Sequence, residues 1–150
     1  MENKIKNNPA PLGYSTVSPY LMVESVEKQL EFLKNVFEAE ITEVLRNPEG
    51  HVWHGEARIG DTLVMMGRAQ KEYPAISSML YVFTENVDQV YQRALDQGAT
   101  SINEPKDQFY GNREAGVRDP QGNIWWIAHE IEKVSDDEAE RRLVELQNTK

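Results

Sequence analysis

His54, Glu56 and Arg58 occupy alternate positions of HVWHGEARI at 51–59, a run with strand character, so their side chains share one face. A histidine and a carboxylate two residues apart on a strand suit a metal ion or an acid–base pair. The same spacing also suits a solvated face of charged neighbours. Tyr110-Gly111-Asn112-Arg113 is a second candidate. Gly111 permits a turn that a side chain would strain, and Arg113 carries a planar fork suited to a carboxylate, a phosphonate or another anion. The alternative for Arg113 is a salt bridge to a nearby acid such as Asp119. Asp119-Pro120-Gln121-Gly122 has the residue order of a tight turn and is assigned no chemistry. The sequence holds no Gly-rich phosphate loop, no GxSxG and no HExxH. It also has no cysteine, which excludes thiolate catalysis, disulfides and Cys-type metal sites.

The elements that must position these residues follow from periodicity. Residues 1–15 are Asn- and Pro-rich and read as a disordered lead-in. VSPYLMV (17–23) reads as a strand. Ser25 then caps a helix with Val26, Leu30, Leu33 and Phe37 on one face. Strands follow at 41–46, 51–59 and 62–67, and 68–76 reads as a polar linker. The same order recurs: a strand at 77–84, a helix capped by Asn86 and ended by Gly98, a loop, and strands at 114–119 and 124–129. Ser135 followed by Glu138 predicts a capped charged helix in the segment 131–150.

An offset of 61 residues aligns the halves. It pairs Tyr20 with Tyr81, Glu24 with Glu85, Val26 with Val87, Leu63 with Ile124 and Met65 with Trp126. The reading is two βαβββ modules, 16–67 and 77–130, in an α+β fold. Neither module buries its core well alone. Two such sheets edge to edge make a curved cup with helices outside, a natural ligand pocket.

The chain carries 25 acidic and 16 basic residues, a formal charge of -9, and no segregated basic patch. That balance argues against nucleic-acid and membrane-surface binding. No apolar run approaches membrane-spanning length and the N-terminus lacks an apolar signal region, so a cytoplasmic location is expected.

VSPYLMV, FLKNVFEAE (32–40), HGEARIGDTLVMMG (54–67) and above all YGNREAGVRDPQGNIWWIAH (110–129) resemble the vicinal oxygen chelate superfamily. That superfamily includes glyoxalase I, bleomycin-resistance proteins and extradiol dioxygenases. The resemblance covers about residues 16–135 and points to its PhnB-like branch, where a His-x-Glu recurs at the place of His54 and Glu56. It implies paired βαβββ modules, usually in a homodimer, and four metal ligands of His and Glu type. Those ligand positions fall here on Ser18, Met65, Met79 and Trp126. None is a good ligand for a hard or borderline divalent ion, so the resemblance implies the fold without the usual metal or any other cofactor.

Tyr20 and Tyr81 stand two residues beyond Ser18 and Met79 and share their face. Tyr20, Met65, Met79, Tyr81 and Trp126 either fill the cup as core or line an aromatic pocket for an aromatic or amphipathic small molecule. Tyr110, Arg113, His54 and Glu56 complete the candidate ligand-binding set. The leading expectation is a metal-independent small-molecule binding protein. Alternatives are a lyase, isomerase or dioxygenase with a relocated metal site around His51, His54 and Glu56, and a dimeric scaffold with a filled cup.

Overall fold

A computed structural model describes residues 9–149. The chain divides into two compact units, the first ending at Ser78 and the second starting at Met79. The first unit contains β1 (Tyr20–Val23), α1 (Val26–Phe37), β2 (Glu40–Arg46), β3 (Val52–Ile59) and β4 (Thr62–Arg68). The second contains β5 (Met79–Phe83), α2 (Val87–Asp96), β6 (Thr100–Asp107), β7 (Asn112–Arg118), β8 (Ile124–Glu130) and α3 (Asp136–Asn148). Each unit is thus βαβββ, and the fold is α+β.

The two sheets repeat one topology, β1-β4-β3-β2 and β5-β8-β7-β6. The first strand of each runs parallel to the last, and the other pairings are antiparallel. The helix of each unit covers one face of its sheet, α1 chiefly against β3 and α2 chiefly against β7. Helix starts follow from capping: Ser25 accepts from the Lys28 backbone N–H, and Asn86 from that of Gln89. Val26, Leu30, Leu33 and Val36 of α1 are buried, as are Leu21, Val23, Val64 and Met66 of the sheet. In the second unit Val87, Val90 and Ala94 of α2 are buried, together with Ala115, Val117, Trp125 and Ile127. Alternation along each strand therefore leaves the opposite face of each sheet free of its helix.

The segment expected as a loop after α2 is the strand β6. Its sequence, TSINEPKD, is polar and carries Pro105, which hides it from a search for apolar alternation. It is tolerated because β6 is an edge strand, and the pairing with β7 slips register between Asn103 and Lys106, around the proline. The cap of α3 is as expected, with Ser135 accepting from the Glu138 N–H. No residue of α3 is buried. Arg142 tethers it, donating to the Phe109 carbonyl at 3.0 Å and to Glu132 at 2.8 Å. No helix among the described residues is long and apolar enough to cross a membrane.

Candidate functional site

On the face of the second sheet away from α2, β5 presents Met79, Tyr81 and Phe83. They are 65%, 43% and 67% exposed, which is unusual for three large apolar or aromatic side chains in a row. The register sets Tyr81 opposite Trp126 and Trp126 opposite Gly116, with Phe83, Ala128 and Glu114 in the next row. The six-membered ring of Trp126 packs against Gly116, where a Cβ would stand only 2.4 Å from its Cζ3. The Tyr81 and Phe83 ring centroids lie 5.3 Å apart, with the ring planes tilted by 57°.

At the centre of this aromatic face is Glu114, only 8% exposed. The Tyr81 hydroxyl donates to its Oε1, and the Tyr110 hydroxyl donates to its Oε2 at 2.6 Å. Asn112 Nδ2 in turn donates to the Tyr81 hydroxyl at 3.0 Å. Burial and then the bond to Glu114 raise the pKa of both phenols, so both keep their protons and remain donors. The turn that delivers Tyr110 depends on Gly111, at φ +102, whose carbonyl accepts from the Ile131 and Glu132 N–H groups. A Cβ there would meet the Glu132 carbonyl oxygen at 2.2 Å.

Arg113 lies one residue from Glu114 and points to the opposite side of β7. Its Nε and Nη2 donate to the two carboxylate oxygens of Asp88 at 2.7 Å, and Nη1 donates to Asp107 at 2.9 Å. The fork anticipated for an anion thus ties the first turn of α2 to the β6–β7 end. Asp119, anticipated as its partner, instead accepts from the Gln121 and Asn123 N–H groups and from Trp125 Nε1.

The corresponding face of the first sheet carries a second cluster. One register row holds Tyr20, Met65, Glu56 and Glu43. His54 Nε2 lies 2.7 Å from Glu56 Oε2 and 4.0 Å from Glu43 Oε2, and His54 Nδ1 lies 3.2 Å from the Tyr20 hydroxyl. In the tautomer whose Nε2 donates to Glu56, Nδ1 accepts from the Tyr20 hydroxyl. The Tyr14 hydroxyl donates to Glu56 Oε1, so the lead-in, which has no helix or strand over residues 9–15, is fastened at this point. Residues 1–8 lie outside the described residues.

Glu56 is 3% exposed, and burial pushes its pKa up. The hydrogen bonds from His54, Tyr14 and Glu43 outweigh burial and hold it below the ordinary carboxylate value. Glu43 is raised, chiefly by its hydrogen bond to Glu56 and then by burial. One ligand atom from each of Glu43, His54 and Glu56 lies within 4.8 Å of the others.

The expected trio was His51, His54 and Glu56. The structure joins His54 and Glu56 to Glu43 and leaves His51 just before β3, its backbone N–H bonded to Asn47 Oδ1. Glu43 was the one acid inside the strand at 41–46, and that was its only signal. A bulge between Ile41 and Glu43 aligns it with Glu56.

The family model of the Glyoxalase/Bleomycin resistance protein/Dioxygenase superfamily matches residues 15–127. The chain belongs to this superfamily. Among solved superfamily-like folds, TioX from Micromonospora sp. ML1 superposes with a TM-score of 0.65 at 24% identity, covering 77% of this chain and 98% of that one. A glyoxalase/bleomycin resistance protein/dioxygenase family enzyme from Burkholderia phytofirmans PsJN superposes with a TM-score of 0.63 at 19% identity, covering 81% and 99%. At these identities the superfamily members share the fold. By sequence, an uncharacterized protein of Mycobacterium tuberculosis is 28% identical over 133 residues, covering 81% of this chain and 78% of its own.

Proposed function

We propose that the protein is a metal-independent small-molecule binding protein of the glyoxalase/bleomycin-resistance kind. It takes a flat aromatic or amphipathic ligand on the open face of its second unit. The observation that carries this reading is the exposed row of Met79, Tyr81 and Phe83 beside Trp126. Exposed aromatic surface with a few fixed polar groups is what such ligands need. The donors at the superfamily's expected metal positions, a hydroxyl at Ser18, thioethers at Met65 and Met79 and an indole at Trp126, do not fit a hard or borderline cation. We further place the chain in the PhnB-like branch on its His54–Glu56 pattern, and propose a cytoplasmic homodimer.

The test is a calorimetric screen of planar aromatic and amphipathic compounds against EDTA-treated protein. Saturable binding is expected, weakened ~10-fold or more by Trp126→Ala. A screen without a binder, or binding that requires a divalent ion, overturns the reading.

A second reading, a metal-dependent enzyme, rests on one observation: the convergence of Glu43, His54 and Glu56. One imidazole and two carboxylates suit a borderline or hard divalent ion, which when bound would supply a Lewis acid. Tyr20 would orient His54 through Nδ1, and Tyr14 would orient Glu56. Stoichiometric metal in purified protein, lost in His54→Ala, would support this reading. No uptake of Ni²⁺, Zn²⁺, Mn²⁺ or Fe²⁺ would remove it.

A further inference from the structure

Glu114 is nearly buried, and both of its oxygens accept hydrogen bonds from phenols, the pattern of an ionised carboxylate. Buried charges in proteins are ordinarily paired with an opposite charge, because desolvating a lone carboxylate is costly. Lys106 stands opposite Glu114 in the β6–β7 register, yet among the described ion pairs none joins the two. The negative charge is instead spread onto two hydroxyl groups. A phenol that donates to a carboxylate becomes a stronger acceptor through its own oxygen. Around this anionic centre stand the rings of Tyr81, Phe83, Tyr110 and Trp126, whose π faces attract cations.

We infer that the open face of the second unit selects ligands that carry a positive charge. The ligand class is a quaternary or protonated amine on an aromatic body, with Glu114 and the Tyr81 and Tyr110 hydroxyls supplying the compensating charge. The inference rests on the small-molecule reading and adds the sign of the ligand's charge. The formal charge of -9 favours the same sign at long range.

Three compounds of similar shape separate the possibilities: 1-methylquinolinium, quinoline and quinoline-4-carboxylate. Each is titrated calorimetrically into metal-stripped full-length protein at mildly alkaline pH, where quinoline is neutral. The cation is expected to bind ~10-fold or more tighter than quinoline, and the anion most weakly. Raising the salt concentration narrows the gap. Glu114→Gln should abolish the preference for the cation over quinoline, and Tyr110→Phe should narrow it. The wild-type comparison needs no variant, so a folding defect in either one leaves the test intact. Equal affinity for cation and quinoline, or a preference that survives Glu114→Gln, overturns the charge inference and leaves small-molecule binding standing. Binding of none of the three removes both.

Discussion

Gly116→Ala is a small change with a calculable consequence. The new Cβ would stand 2.4 Å from Trp126 Cζ3, 2.7 Å from Cε3 and 3.0 Å from Cη2. Carbon atoms pack at about 3.5–4.0 Å, so the indole must lift by roughly 1 Å from the sheet. Overpacking of this kind costs about 1–3 kcal/mol. Trp126 is only half-buried and has room to move, which favours the lower end. In a Trp126→Ala background the obstacle is gone. Alanine then replaces glycine in the middle of a strand, which stabilises by about 0.5–1 kcal/mol. The sign of the substitution therefore reverses between backgrounds, a coupling of ~2 kcal/mol. Urea unfolding of the four proteins, followed by circular dichroism, measures it. The reasoning fails if Gly116→Ala has the same effect with and without Trp126, because the ring would then not rest on that glycine.

Asp119→Ala should lower unfolding free energy by about 3 kcal/mol, since it removes the acceptor of two backbone N–H groups and of the buried Trp125 indole N–H; a loss under about 1 kcal/mol in urea unfolding would contradict that bonding. Arg113→Ala should cost little stability in urea unfolding, as loss of a part-exposed ion pair does. Its ligand affinity should stay within about twofold of wild type, whereas a large affinity loss would place the guanidinium in the site. Hydrogen bonds from Arg141 and then Arg142 hold the Glu138 carboxyl at about 2, below its ordinary 4.5. A depressed carboxyl stabilises above the ordinary value and loses that contribution as pH falls toward about 2. Protection of α3 amides from exchange should accordingly fall across that window in wild type. In Glu138→Gln that fall should be absent, and an identical profile in both proteins would refute the contribution of these intrahelical pairs.

Much of the fold was legible because the two halves share a register. The offset that aligned Tyr20 with Tyr81 and Met65 with Trp126 reappears as physical pairing, Tyr20 opposite Met65 and Tyr81 opposite Trp126. Helix starts were legible because Ser25, Asn86 and Ser135 each use the side chain that caps. β6 was hidden because an edge strand needs only one partner and tolerates Pro105 and polar residues. The polar members of the clusters were the least legible. Glu43 reaches Glu56 through a bulge, and Tyr14 reaches it from a segment without periodicity. Glu114 was visible as a strand residue, but its two phenol partners come from β5 and from the turn before β7. Contacts that depend on bulges and turns leave no periodic trace in a sequence.

The central claim is that a small molecule sits on the open face of the second unit without a metal. Backbone amide NMR shifts of EDTA-treated protein, recorded with saturating 1-methylquinolinium, test it most directly. The account predicts shifts concentrated in β5, β7 and β8, at Met79–Phe83, Asn112–Arg118 and Ile124–Glu130, and their loss in Trp126→Ala. Shifts confined to the first unit around Glu43, His54 and Glu56, or shifts that appear only after a divalent ion is added, would contradict it.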